Sequence, residues 1–185
     1  MRRRADVTEL DAVVFDWRGT LVTTLAAEEW VGEALALLGR ERDADAGLDD
    51  DLSDALHAVE SDPRHNHFAD DVAETLRLVT ARGLKVAILS DIHFDLRPVF
   101  VAADLDRFVD GYVLSFECGV QKPNPLIFRA ALDALGSSPG QTLMVGDRAS
   151  HDGAAVELGM PTLLVPTLTH PGQRRLDLVR NLVGR

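Results

Sequence analysis

A set of carboxylates, hydroxyls and one ammonium recurs in a single setting along this chain. Asp16 closes the apolar run in "VVFDWRGTLV" (residues 13–22), and Thr20 comes four residues later. Ser90 and Asp91 close "LKVAILSD" (84–91), Lys122 lies in "GVQKPNP", and Asp147 and Asp152 lie in "GDRASHD". Carboxylates gathered in one place repel unless a cation sits among them, and hard oxygen ligands suit magnesium. A lysine and a hydroxyl beside magnesium suit an anionic substrate, phosphate above all. An aspartate at a strand tip can attack phosphorus as a nucleophile. Each residue alone has a plainer reading: Asp16 a helix cap, Ser90 a turn residue, Lys122 a solvated charge, Asp147 and Asp152 a loop residue and a cap. Their shared placement at the ends of apolar runs, in this order, favours the chemical reading.

The elements that would position them are set by hydrophobic patterning. Five short apolar runs rich in β-branched residues read as strands: 11–16, 84–91, 110–115, 141–147 and 161–166. Their hydrophobicity is continuous rather than alternating, which suits strands buried on both faces. Helical spacing fills the gaps at 70–83, at 124–136 and at 150–159, each stopping at a glycine. Strands alternating with helices predict an α/β fold, a Rossmann-like parallel sheet sandwiched by helices. Such sheets bind ligands at the carboxyl ends of their strands. Residues 24–68 break the alternation with two helical patterns, "AEEWVGEALALLGR" and "DDDLSDALHAVE", around the charged "ERDADAG". They read as a small α-helical cap inserted into a core made of residues 1–23 and 69–185. The acidic run 49–51 reads as a helix start, because carboxylates favour the positive end of the helix dipole.

Composition narrows the partners. Nineteen basic and thirty acidic residues give a net charge of −11, which repels a nucleic acid duplex or an anionic membrane on average. Neither is expected as a partner, and no stretch reaches the roughly 18 apolar residues of a membrane span. One cysteine, Cys118, leaves no internal disulfide and points to a reducing, cytoplasmic setting. Cys118 has no companion thiol and reads as an incidental loop residue. The opening "MRRRADVTELD" lacks the apolar run of a signal peptide and reads as a frayed terminus.

With those residues in place, the chain resembles the haloacid dehalogenase superfamily of hydrolases. "FDWRGTLV" resembles the first of that family's four motifs, "ILSD" the second, "SFECGVQKPNPLIF" the third and "VGDRASHDGAAVELGM" the fourth. The resemblance implies a role for each residue. Asp16 is the nucleophile and a magnesium ligand, and Arg18 offers its backbone carbonyl to the same ion. Thr20 and Ser90 bind the transferred group, with the backbone around Asp91. Lys122 neutralises charge on the nucleophile and the phosphoryl oxygens. Asp147 binds Mg²⁺ and Asp152 supports it from behind. The implied activity is hydrolysis of a small phosphorylated compound, with the oligomeric state open.

One position departs from that pattern. The family's phosphatases carry a second aspartate two residues after the nucleophile, which protonates the leaving group and then activates water. Here it is Arg18, whose guanidinium does not trade protons at neutral pH. The expected outcomes are a slow phosphatase that accumulates its aspartyl phosphate, a redirected reaction, or a non-catalytic protein that binds a phosphorylated ligand or a protein partner. The phosphonoacetaldehyde hydrolases share the "DWxGT" start but need a cap lysine, and the only lysines here are Lys85 and Lys122. The haloacid dehalogenases need no metal and replace the "GD" of the fourth motif, which this chain keeps. Arg40, Arg42 or Arg64 could hold a halide or carboxylate in that second alternative. His93, His151, His65 and His67 have the right pKa to move a proton, and each also reads as a solvated loop residue.

Overall fold

The computed structural model describes residues 9–41 and 47–184. Five parallel strands, β1 (Ala12–Asp16), β2 (Lys85–Ser90), β3 (Gly111–Leu114), β4 (Thr142–Gly146) and β5 (Thr162–Leu164), form one sheet in the order β3-β2-β1-β4-β5. Each of the five lies inside its predicted run. Successive residues of β1 go to opposite faces. Val13 and Phe15 join a cluster with Leu76, Val79 and Phe100, while Ala12 and Val14 join one with Ile127, Phe128 and Ala131. Two buried faces explain why the strands read as unbroken apolar runs.

Helix α3 (Val72–Ala81) and the C-terminal α7 (Asp177–Val183) cover the first face, and α6 (Pro125–Leu135) the second. Helix α6 starts on Pro125, with the Asn124 side chain capping the amide of Leu126 at 3.0 Å, and ends on Gly136 in the left-handed region. The predicted helix at 150–159 is instead a 3-10 helix, Asp152–Leu158. Its first residue is pulled inward, since the Asp152 carboxylate accepts hydrogen bonds from the amides of Asp147 and Arg148. Short helices α4 (Arg97–Ala102) and α5 (Ser115–Cys118), like α7, carry no pattern long enough to read in the sequence.

Between β1 and α3 lie α1 (Ala27–Leu37) and α2 (Asp50–Ser61). Asp49 caps α2 by accepting from the Leu52 amide at 2.8 Å, as the acidic run suggested. The pair buries Ala34, Ala55 and Val59, with Trp30, Leu52 and Leu56 packed around them. The "ERDADAG" link and Arg42 fall largely on residues 42–46, outside the described residues, as does the "MRRRADVT" terminus. No helix among the described residues is long and apolar enough to cross a membrane.

Candidate active site

Asp16 is the last residue of β1, and the chain turns at once into a tight loop. The amides of Thr20, Leu21 and Val22 all donate to the carbonyl of Trp17, and Gly19 adopts φ +80°. Trp17 is fully buried, edge-on to Phe68 at 5.2 Å and tilted against Phe100 at 5.3 Å. That anchor fixes the loop, so Asp16 and Arg18 project the other way from the indole. Glycine at 19 is also a matter of space: a Cβ there would lie 2.5 Å from Oδ2 of Asp147. Arg175 bolts the loop from outside, its guanidinium donating to the carbonyls of Gly19 at 3.0 Å and Thr20 at 2.6 Å. Sequence reasoning missed Arg175, because an arginine in a C-terminal segment carries no signal of burial.

The predicted strand-tip residues do converge. Lys122 Nζ lies 2.5 Å from Oδ1 of Asp16 and 2.6 Å from Oδ1 of Asp152, and all three are buried. Thr20 donates its hydroxyl to Oδ2 of Asp16 at 3.0 Å. The Asp91 side chain accepts from the amide of Lys122 at 2.9 Å, so it shapes the lysine's loop. Asp147 accepts from the Thr167 hydroxyl at 2.7 Å through Oδ2, while its buried Oδ1 has no partner. Asp16, Asp147 and Asp152 each offer an oxygen within 4.8 Å of the others. Burial raises Asp16 to about 6, against the pull of the Lys122 ammonium, and burial likewise raises Asp147. Burial pushes Lys122 down, but Asp16, Asp152 and Asp91 outweigh it and the net direction is up. A group of buried acids with one orphaned oxygen is what a hard divalent cation would stabilise.

A cavity of about 480 Å³ opens above these residues, lined by Asp16, Ser90, Asp91 and Asp147 on one side and by Trp30 and Glu60 of the inserted helices on the other. Arg18 reaches across it. Its Nη2 donates to the carbonyl of Glu60 at 2.6 Å and to Oδ1 of Asn66 at 3.2 Å, and its Nη1 lies 3.6 Å from Oε1 of Glu60. Burial lowers its pKa and Glu60 opposes that shift. Its side chain therefore serves the end of α2. His93 and His151 line the same cavity. His65 and His67 line a second one of about 980 Å³ with Arg64 and His170, without gathering into a metal-ligand group among the described residues. Arg64 pairs with Asp62, and Arg40 with Asp49 and Asp51, all away from the first cavity. Cys118 is exposed at the end of α5.

Three comparisons bear on the whole arrangement. The haloacid dehalogenase-like hydrolase family model matches residues 25–159, beginning just after the Asp16 loop. The (S)-2-haloacid dehalogenase 4A of Burkholderia cepacia is 30% identical over 139 residues, 75% of this chain and 57% of that protein. The pyrophosphatase PpaX of Halalkalibacterium halodurans is 29% identical over 170 residues, 78% of this chain and 77% of that one. A crystal structure of a predicted phosphoglycolate phosphatase from Haemophilus somnus superposes with a TM-score of 0.73 at 18% identity, covering 91% of this chain and 90% of that one. The chain thus spans little more than half the length of the dehalogenase it matches.

Proposed function

The chain belongs to the haloacid dehalogenase-like hydrolases, and on that footing we propose that it is a magnesium-dependent phosphatase acting on a small phosphorylated compound. The observation that carries this reading is Asp147: a buried carboxylate oxygen, Oδ1, without a partner, next to Asp16 and Asp152. Dehalogenation has no use for a cation at that point. Asp16, Asp147 and the backbone carbonyl of Arg18 would hold Mg²⁺, with Asp152 behind them. Bound there, the ion would offset the charge of the phosphoryl group and of the carboxylates around it.

The chain's own residues divide the remaining work. Oδ1 of Asp16 is held by Lys122 and Oδ2 by Thr20, so its carboxylate is oriented before any substrate arrives. Attack by that carboxylate on phosphorus would give an aspartyl phosphate. The Lys122 ammonium, with the Thr20 and Ser90 hydroxyls and the amides near Asp91, would then face the equatorial oxygens. The helical insertion roofs the cavity with Trp30 and Glu60 and limits the size of the leaving group.

The test is a screen of purified protein against phosphorylated metabolites and a 2-haloacid, with and without magnesium. Magnesium-dependent phosphate release, lost in Asp16→Asn, is the expected outcome. Metal-independent halide release would move the chain to the dehalogenase side of its family.

A further inference from the structure

We propose, resting on the phosphatase reading above, that His93 held by Glu60 is the acid/base of this protein, in place of the position taken by Arg18. Arg18 cannot serve, and its guanidinium is committed to the end of α2. Glu60 is a buried carboxylate, 6% exposed, in the last turn of α2. A negative charge there works against the helix dipole, so the position calls for a compensating partner. Its Oε1 faces Arg18 and its Oε2 meets Nε2 of His93. The ring of His93 stacks on His57 at 4.0 Å between centroids, which holds it in place from the other side.

His93 lies three residues beyond the end of β2 and lines the same cavity as Asp16 and Ser90. Its side chain is 44% exposed, so it exchanges protons with solvent. The groups set directly against it are Glu60 and His57 from α2, Arg18 faces the other oxygen of Glu60, and Asp16, Asp91, Asp147, Arg148 and His151 share its cavity. A carboxylate set against Nε2 orients the imidazole ring. Nδ1 is then the atom left to carry the proton. His151 has no such support among the described residues, where its side chain meets the neighbouring Ser150 hydroxyl.

Atoms and protons balance over the cycle. As Asp16 attacks phosphorus, the bond from phosphorus to the leaving oxygen breaks, and the imidazolium gives that oxygen its proton. The neutral imidazole then takes a proton from water while the water oxygen attacks phosphorus. The bond from phosphorus to Asp16 breaks, phosphate leaves, and the imidazolium is restored. No oxidant or further reactant is needed.

Pre-steady-state kinetics in magnesium buffer, with an aryl and an alkyl phosphate, test this. In His93→Asn the burst from the aryl phosphate should persist, because that leaving group needs no proton. Steady-state turnover of both substrates should fall by about 10²-fold or more. The limb of the wild-type kcat–pH profile that belongs to an imidazole should vanish. Glu60→Gln keeps the shape but removes the charge set against His93, and should lower kcat several-fold with KM unchanged, a split that a merely structural role for Glu60 would not produce. His93→Gln repeats the test should the Asn variant lose its circular dichroism. Wild-type turnover and an unchanged pH profile in both His93 variants, or an equal loss in His151→Asn, would overturn the assignment while leaving the phosphatase reading intact. Absence of phosphate release from both substrates by wild type would overturn the phosphatase reading and this proposal with it.

Discussion

The guanidinium of Arg18 donates a 2.6 Å hydrogen bond to the backbone carbonyl of Glu60, forty-two residues away. That carbonyl is one of the four that the end of an α-helix leaves without an intrahelical partner, and the Asn66 side chain amide donates to it as well, at 2.8 Å. The residue two places after Asp16 thus finishes helix α2. Arg18 ties the two sides of the cavity together.

Removing that tie should loosen the insertion more than the sheet. Arg18→Met deletes the donors to Glu60 and Asn66, and the expected cost is about 1–3 kcal/mol, with faster amide exchange in α1 and α2. Arg18→Asp should do worse, because it sets a carboxylate against Glu60. Hydrogen exchange by mass spectrometry reads both effects. Unchanged protection of α2 in Arg18→Met would show that the hydrogen bond does not hold the helices.

Tyr112 gives a pH dependence that is separate from the site. Burial raises its phenol from the ordinary 10 to about 12, with the Asp106 charge adding to the shift and Arg97 opposing it. The unfolded chain therefore loses this proton first as pH rises. The stability that the protonated phenol contributes is complete below pH 10 and is lost as pH climbs through about 12. Urea unfolding across that window should show stability falling with pH in wild type. Tyr112→Phe should flatten the fall, and it also removes a buried hydroxyl that has no partner. Identical slopes in the two proteins would refute the assignment.

The strand tips were readable because burial on both faces writes an uninterrupted apolar run, and three of the five runs, 11–16, 84–91 and 141–147, end at residues that line the cavity. Asp16, Ser90 and Asp147 come from that pattern alone, and Lys122 and Asp152 from their place in the loops after it. Glu60 and Arg175 were not readable. Each lies in a segment whose local pattern is ordinary, and each acquires its role from contacts far along the chain, Glu60 with Arg18 and Arg175 with Thr20. The 3-10 geometry at 152–158 was likewise hidden, since a glycine-terminated apolar period does not distinguish it from an α-helix.

Magnesium should stabilise the fold through Asp147. A ligand that binds only the native state adds about 2.7 kcal/mol at a hundred times its dissociation constant. Wild type should therefore melt at a higher temperature in millimolar magnesium than in chelator. Asp147→Asn removes the charge that the unpartnered Oδ1 shares and should lose both the thermal shift and the calorimetric binding signal, while its chelator melting point stays near wild type. A binding isotherm equal to wild type would take Asp147 out of the metal site.

Lys122 carries a large expected stability effect. Its ammonium is wholly buried between the carboxylates of Asp16 and Asp152. Replacing it with methionine conserves much of the volume and strands two like charges in the interior. Breaking a buried pair from one side typically costs about 3–5 kcal/mol, because the partner keeps its desolvation penalty and loses its compensation. Lys122→Met should show a loss of that size in urea unfolding at neutral pH. The partner substitution separates charge from shape: adding Asp16→Asn in the same chain removes one of the stranded charges and should recover a good part of the loss. Asp16→Asn alone should be far milder, since Lys122 then keeps Asp152 as a one-to-one partner. If the double variant is no more stable than Lys122→Met, the cost lies in packing around the aliphatic stem, and the charge balance of the trio is not what holds the site together.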